Sequence, residues 1–281
     1  MLLFTWNLNE NESSLRLALD HLGQVANSGT EFLATFQELP TIASSTEKAR
    51  ELAAKLGHGG VDCLGVVSGE RAPGRLGLFS SMGISIKEPM SSGASNRMAM
   101  VTVRSASWSD LQVIAFHAAD RRNAGAEYAR GASAVLSRVE VEKYWKINHA
   151  MVIMGDFNAD PYTPEVSARQ GMFAVRDRLE AMRSWKSSLV GGPMRPLYNP
   201  MWHLLPESSE RPGGTYLLNS QDQGIRWRLC DQILVSPNLI SRLDGSPEIM
   251  SKLLKTTLVT RRGFPSRQYS DHLPVQLRVN L

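Results

Sequence analysis

Residues 150–158 read Ala-Met-Val-Ile-Met-Gly-Asp-Phe-Asn, a buried strand that ends in polar side chains, and this stretch decides the fold. The first five residues are apolar without interruption, which indicates a strand covered on both faces. Asp156 and Asn158 follow Gly155 at the point where the strand ends. In α/β sheets this is the edge at which side chains from several strands share one crevice.

The same arrangement recurs along the chain. The other polar groups at strand ends or starts are Asn7 after the first strand, Gln37-Glu38 in the strand Glu31–Leu39, His117 after Leu111–Phe116, Asp231 in Leu229–Val235, and Asp271-His272 before Leu273–Val279. A single Asn or Asp at such a point is usually a turn or a cap. Six such points are hard to explain as unrelated caps, so we expect these side chains to meet in one site.

Helices are expected between the strands. The spacing of apolar residues predicts helices over Ser13–Asn27 and Ala126–Trp145, and a capping-box pattern at residues 44–47 begins another that ends at Gly57. Short apolar runs between Val61 and Val103 predict antiparallel strands, and Thr257–Thr260 predicts one more. Residues 186–214, rich in Pro, Gly and Ser, read as a long irregular insertion. The order predicts a layered α/β sandwich in one domain, residues 1–281.

Composition sets the broad class. Hydrophobic residues make up 42% of the chain and charged residues 21%, as in a packed enzyme. A net charge of +4 suits an anionic partner. The two cysteines, Cys63 and Cys230, lie outside any CxxC pattern and favour a reducing compartment. No signal peptide and no membrane-spanning run is expected, so the prediction is a cytoplasmic protein.

The predicted site has the groups that phosphate-ester hydrolysis requires. A hard cation held by carboxylate oxygens neutralises the charge that develops on a phosphate, and one or two carboxylates suffice for Mg²⁺. The lack of a Cys or multi-His cluster argues against zinc. A carboxylate such as Asp156 can orient or deprotonate a water, and a histidine can protonate the leaving oxygen. Asn7 and Asn158 offer neutral donors to phosphate oxygens.

Six motifs in order resemble the endonuclease/exonuclease/phosphatase superfamily, which includes deoxyribonuclease-like and exonuclease III-like enzymes. They are Thr5-Trp6-Asn7-Leu8-Asn9, Gln37-Glu38, Phe116-His117, Met154-Gly155-Asp156-Phe157-Asn158, Asp231-Gln232-Ile233-Leu234-Val235-Ser236 and Ser270-Asp271-His272-Leu273-Pro274-Val275. The resemblance spans nearly the whole chain. It implies a four-layer sandwich, in which two packed mixed β-sheets are flanked by helices, with a Mg²⁺ or Mn²⁺ site at one edge.

The resemblance also implies a role for each residue. Glu38 would bind the metal, with Asn7 and Asp271 nearby. Asp156 would activate water and Asn158 would contact phosphate. His272, oriented by Asp231, would sit on the scissile phosphate, and His117 would act as a deoxyribonuclease-type general acid. The expected substrate-binding residues are Asn9, Arg121, Arg122 and Arg130. One departure is Cys230-Asp231-Gln232, where the family often has Ile-Asp-Tyr.

Three functions stay open on the sequence. The favoured hypothesis is a metal-dependent phosphodiesterase acting on DNA or RNA, because arginines in presumed loops suit bidentate phosphate contacts. The first alternative is a phosphatase or phosphodiesterase on phosphoinositide, sphingomyelin or small phosphate esters. The second is a catalytically silent binding module. Aromatic residues of the irregular segment, such as Tyr198 and Trp202, either stack on bases or anchor the segment to the core.

Overall fold

The computed structural model describes residues 1–68, 75–92, 97–119, 126–146, 149–183, 195–206, 212–218 and 226–281, with the side chains of 68, 89 and 126–133 outside the description. The strands are β1 (Leu2–Asn7), β2 (Phe32–Gln37), β3 (Val61–Ser68), β4 (Arg75–Ser81), β5 (Ser85–Ser92), β6 (Met98–Arg104), β7 (Leu111–His117), β8 (Ala150–Asp156), β9 (Ala174–Val175), β10 (Leu197–Tyr198), β11 (Tyr216–Leu217), β12 (Trp227–Arg228), β13 (Asp231–Val235), β14 (Leu243–Ile249), β15 (Lys252–Leu253), β16 (Thr256–Thr257) and β17 (Val275–Val279). The helices are α1 (Glu12–Asn27), α2 (Thr46–Leu56), α3 (Ala126–Tyr144), α4 (Pro164–Ser167) and α5 (Arg178–Met182), with short 3-10 helices at Thr41–Ala43, Pro200–Leu204 and Pro237–Arg242.

Two mixed sheets form the centre of the molecule. The first has six strands in the order β14-β17-β1-β2-β4-β3, and the second has seven in the order β5-β6-β7-β8-β13-β10-β9. In the first sheet β1 runs parallel to β2 and antiparallel to β17. In the second, β8 runs parallel to β7 and antiparallel to β13. The predicted sandwich of two mixed sheets with flanking helices is confirmed.

The central strands are buried on both faces, which explains their apolar sequences. On one face of β1, Phe4 packs against His21 of α1, with ring centroids 5.9 Å apart. On the other, Thr5 accepts a hydrogen bond of 2.9 Å from Thr35, whose hydroxyl also lies 3.4 Å from the Met154 carbonyl of the second sheet. The alternation of side chains along β1 therefore places one face under α1 and the other between the sheets.

Helix α3 covers the outer face of the second sheet. Its residue Val141 belongs to a buried apolar cluster with Ile114 and Met151. Near the end of α3, Gln112 donates to the carbonyl of Tyr144 over 2.8 Å and so fixes the helix to β7. Of the described helices, none combines the length and apolar character that crossing a membrane requires.

Several element boundaries differ from the predicted ones. The N-cap of α2 is Ser45, whose side chain accepts from the Lys48 N–H, and not Ser44. The strand expected at Thr257–Thr260 is only β16, paired with β15. Strand β14 was not predicted at all. Within the segment 186–214 the structure describes 195–206 and 212–214, where β10 and a 3-10 helix occur, and the rest lies outside the described residues.

Candidate active site

Strand pairing brings the predicted polar residues to one edge of the sandwich. Because β1 and β2 are parallel and in register, Asn7 pairs with Gln37, next to Glu38. In the second sheet His117 pairs with Asp156 across β7 and β8. Asp231 pairs with Asp156 from the other side, across β8 and β13.

Asp156 lies at the centre of the site and is 1% exposed. Its Oδ2 accepts a hydrogen bond of 3.0 Å from the Asn7 amide. The same oxygen lies 3.8 Å from His117 Nε2 and 3.9 Å from His272 Nε2. Its Oδ1 accepts from the Asn158 N–H over 2.7 Å. One carboxylate thus faces an amide and two imidazoles, which is the environment of a group that handles a proton or a water.

Glu38 approaches this cluster from the first sheet. Its Oε1 accepts from the Asn7 amide over 3.3 Å and lies 3.5 Å from His117 Nε2. Burial raises the pKa of Glu38, while the His117 imidazole and the Asn7 amide oppose that shift. In the described part of the chain neither Glu38 nor Asp156 has a lysine or arginine ion-pair partner, so a cation would relieve the repulsion between them.

Asp231 holds the second histidine. Its Oδ2 lies 2.8 Å from His272 Nδ1, which directs Nε2 of the ring toward Asp156. Burial alone would lower the pKa of His272, but the carboxylates of Asp231 and Asp156 outweigh it and raise the pKa to about 10. The two carboxylates thus favour the protonated imidazole, which can donate a hydrogen bond to an anion.

The backbone at the site is conformationally unusual. Glu38 has φ 51°, Asn158 has φ 48° and Asn9 has φ 49°. Non-glycine residues adopt this left-handed region at a cost of about 1–3 kcal/mol, and they do so mostly where surrounding structure holds them. Gly155 has φ 155°, and a Cβ there would lie 1.8 Å from the Phe116 carbonyl oxygen, so the close approach of β7 and β8 requires glycine.

The donor set fits a hard divalent cation. The carboxylates of Glu38 and Asp156 supply oxygen ligands of the kind that Mg²⁺ prefers, and Mg²⁺ takes its remaining ligands from water. In the described ranges, no group of three or more His, Cys, Asp or Glu side chains could hold a metal ion by itself. The oxygen of the Asn7 amide accepts from the Asn9 N–H over 3.0 Å. A cation held chiefly by Glu38 and by water is consistent with this set.

Asp271 is partly exposed and acts on His272 through its charge. Within the described residues it forms no hydrogen bond or ion pair, so its assignment to a metal stays a prediction. Asn158 donates from its side chain to the Ala118 carbonyl over 3.2 Å. Arg121, Arg122 and the side chain of Arg130 lie outside the described residues.

Two aromatic residues of the irregular segment contact side chains of the protein itself. Tyr198 is 1% exposed and its hydroxyl lies 3.3 Å from His203 Nε2, so it anchors the segment to the core. Trp202 is partly exposed and lies under the guanidinium of Arg176, 5.7 Å from the ring centroid.

Sequence reasoning missed three residues that fix His272. The Trp6 indole donates to the His272 carbonyl over 2.9 Å, although the motif that contains Trp6 gives it no role of its own. The ring of Tyr216 lies over the His272 ring, with centroids 4.7 Å apart and an interplanar angle of 34°. Thr215 is fully buried next to Asp231. Tyr216 and Thr215 adjoin a two-residue strand, too short to show any periodicity.

Comparison with known proteins identifies the fold. No family model matches the chain, and no curated protein matches it. A mannosyl-6-phosphatase from Bacteroides thetaiotaomicron is similar with TM-score 0.62 at 13% identity, over 100% of both chains. An endonuclease/exonuclease/phosphatase family protein from the same organism has TM-score 0.59 at 15% identity, over 99% of this chain and 96% of that one.

An AP endonuclease from Archaeoglobus fulgidus is similar with TM-score 0.56 at 15% identity, over 100% of both chains. At these identities the likeness concerns the arrangement of the backbone. The chain has the fold of the endonuclease/exonuclease/phosphatase superfamily, as its sequence motifs predicted.

Proposed function

We propose that the chain is a divalent-metal-dependent phosphoesterase that hydrolyses phosphodiester bonds of nucleic acid. The observation that carries this proposal is the position of Asp156 Oδ2, within 3.9 Å of the Asn7 amide and of both the His117 and the His272 imidazoles. An anionic phosphate placed here would meet protonated or amide donors from several directions, while a carboxylate remains to orient water.

Each residue has a role in this proposal. A divalent cation bound through Glu38, with Asn7 and Asp271 nearby, would neutralise charge on the phosphate. Asp156 orients the attacking water and accepts its proton. His272, protonated and held by Asp231, donates to a phosphate oxygen. His117 delivers a proton to the leaving oxygen.

Nucleic acid is the favoured substrate. The chain carries a net charge of +4, which attracts a polyanion. The similar AP endonuclease acts on such a polymer, as its name states. Arg121, Arg122, Arg130 and Asn9 are the residues that we propose contact the substrate.

A phosphate monoester is the second candidate, because one of the similar structures is a mannosyl-6-phosphatase. A sugar phosphate would place its terminal phosphate on the same donors, but it has one ester bond on phosphorus where a polynucleotide has two. The same alternative includes the phosphate esters of phosphoinositides and the small-molecule phosphodiester of sphingomyelin.

The test compares substrates and variants. Purified protein is incubated with plasmid DNA, single-stranded DNA, RNA and mannose 6-phosphate, each with Mg²⁺ and with EDTA. We expect Mg²⁺-dependent cleavage of a polynucleotide, lowered by about 10²-fold or more in Asp156→Asn and in His272→Ala. Asp244→Asn, at an exposed carboxylate of edge strand β14, is the control.

Two results would contradict the proposal. Wild-type turnover in both active-site variants would remove these residues from catalysis, and activity unaffected by EDTA would remove the metal. Phosphate release from the sugar phosphate without cleavage of any polynucleotide would support the second candidate instead.

A further inference from the structure

Thr215 connects the two chain segments that carry Asp231 and His272. Its main-chain N–H donates to the Arg228 carbonyl over 2.8 Å, three residues before Asp231. Its carbonyl accepts from the Leu273 N–H over 2.8 Å, one residue after His272. The two partners of the histidine–carboxylate pair are therefore fixed relative to one residue, although 41 positions separate them in the chain.

The side chain of Thr215 adds a second connection. Its Oγ1 accepts from the main-chain N–H groups of Cys230 and Asp231, both over 3.1 Å. These bonds occupy the lone pairs of the hydroxyl and leave its proton to donate. Asp231 Oδ1 is buried and has no hydrogen-bond partner among the described residues, which leaves it as an acceptor near the Thr215 hydroxyl. Burial raises the pKa of Asp231, and the Thr215 hydroxyl opposes that rise.

The next residue acts on the imidazole itself. Tyr216 forms an isolated β-bridge with His272, and its ring lies against the imidazole with centroids 4.7 Å apart. On the main chain of His272, the N–H donates to Ser270 Oγ over 3.1 Å. The ring is thus held at one face by an aromatic side chain and at Nδ1 by a carboxylate, which leaves Nε2 to face the site.

Close backbone packing keeps this segment in place. A Cβ at Gly214 would lie 2.4 Å from the Arg228 carbonyl oxygen, so a glycine is required directly before Thr215. Thr215 itself is fully buried, where an unpaired hydroxyl would be costly. The Thr215 hydroxyl avoids this cost because it accepts hydrogen bonds from the main chain of Cys230 and Asp231.

We propose that Thr215 is a positioning residue for the Asp231–His272 pair, and that its hydroxyl sets the orientation in which His272 Nε2 meets the substrate phosphate. Thr215 touches no substrate in this scheme and acts only through Asp231. The effect on turnover rests on the proposed function, whereas the effect on the His272–Asp231 hydrogen bond does not.

The test removes the hydroxyl without changing the shape of the side chain. Thr215→Val is compared with Thr215→Ser, which keeps the hydroxyl, and with Thr102→Val, a buried threonine on β6 that bonds to Glu88 and Tyr144. Turnover on the polynucleotide substrate gives kcat and KM. The proton resonance of His272 Nδ1–H, assigned by its loss in Asp231→Asn, reports the hydrogen bond in the absence of any substrate.

We expect Thr215→Val to lower kcat by about 10²-fold, because small misplacements of catalytic groups have effects of this size, and to leave KM within about twofold. Its His272 resonance should move upfield or disappear. Thr215→Ser should retain both the resonance and most of the turnover, and Thr102→Val should change neither.

A wild-type resonance in folded Thr215→Val would overturn the proposal, whatever the activity. So would an equal loss of kcat in Thr215→Ser. If the wild-type protein cleaves no phosphodiester but Thr215→Val still alters the resonance, the positioning role stands and the proposed function fails.

Discussion

Asn7 joins the two sheets at the edge of the candidate site, because its amide nitrogen lies 3.3 Å from Glu38 Oε1 in one direction and 3.0 Å from Asp156 Oδ2 in the other. Both acceptors are carboxylate oxygens, and Asn7 is 2% exposed. One neutral donor therefore separates two acids that would otherwise repel each other across the sandwich.

Replacing this donor by a third acid should make stability depend on a cation. We expect Asn7→Asp to lower the free energy of unfolding by about 3 kcal/mol at pH 7 in EDTA, because a buried charge is left uncompensated. Millimolar Mg²⁺ should restore part of the loss. Thermal melting with and without Mg²⁺ measures both effects, with the exposed substitution Asn280→Asp as the control. Equal melting shifts with and without Mg²⁺ would contradict a cation site here.

The close contact of β7 and β8 should depend on Gly155. We expect Gly155→Ala to destabilise by on the order of 4 kcal/mol or more, because the added Cβ would overlap the Phe116 carbonyl. Gly245→Ala is the matched control, since Gly245 also has positive φ but a Cβ there would meet no other atom within 4 Å. Gly245→Ala should lower the free energy of unfolding by about 1 kcal/mol. Urea unfolding of both variants checks the difference, and similar values would refute the steric argument.

Acid should destabilise the chain partly through His21. Burial lowers the pKa of His21 from 6.5, and among the described residues its buried Nε2 has no hydrogen-bond partner. Below about pH 6.5 the unfolded state then binds more protons than the folded state, so stability is lost as the pH falls.

We expect His21→Leu to reduce the slope of melting temperature against pH between 7 and 5. A tenfold difference in proton affinity between the folded and unfolded states corresponds to about 1.4 kcal/mol of stability. The exposed His58, replaced by Gln, is the control. An unchanged slope in His21→Leu would show that other groups cause the acid sensitivity.

Arg138 should be important to stability through its partner Glu142. Arg138 is fully buried, its Nε lies 2.9 Å from Glu142 Oε1, and it donates to the Met172 and Arg195 carbonyls. Arg138→Met should lower the free energy of unfolding by about 3 kcal/mol, because it leaves the buried carboxylate of Glu142 without its ion-pair partner. Adding Glu142→Leu should recover part of the loss. A double variant as unstable as the sum of both single variants would show that the pair is not coupled.

The sequence predicted the residues that strand ends bring together. Asn7, His117 and Asp156 each end an apolar run, and such runs are unambiguous when both faces of the strand are buried. Their convergence follows from the parallel pairs β1–β2 and β7–β8, whose ends must meet at one edge. The order of motifs, and not any single residue, made this inference specific.

Other features of the structure leave no pattern in the sequence from which they could be predicted. Strand β14 contains Gly245 and Pro247 and lies at the edge of its sheet, so few of its side chains are buried and its pattern is not that of a strand. Thr215 and Tyr216 act through contacts between segments distant in sequence, which periodicity cannot reveal. The long irregular reading of 186–214 overlooked β10, because two residues are too few to form a pattern.

The pairing of β1 with β17 has a consequence for the newly made chain. Leu3 pairs with Leu277, so one side of β1 has no strand partner until β17 has been synthesised. His272 arrives only a few residues before that last strand, whereas Asn7 and Glu38 are made at the outset. A chain synthesised only as far as Asp231 therefore carries Asp156 and Asp231 without the His272 ring that lies near both, and the candidate site is incomplete until that residue is added.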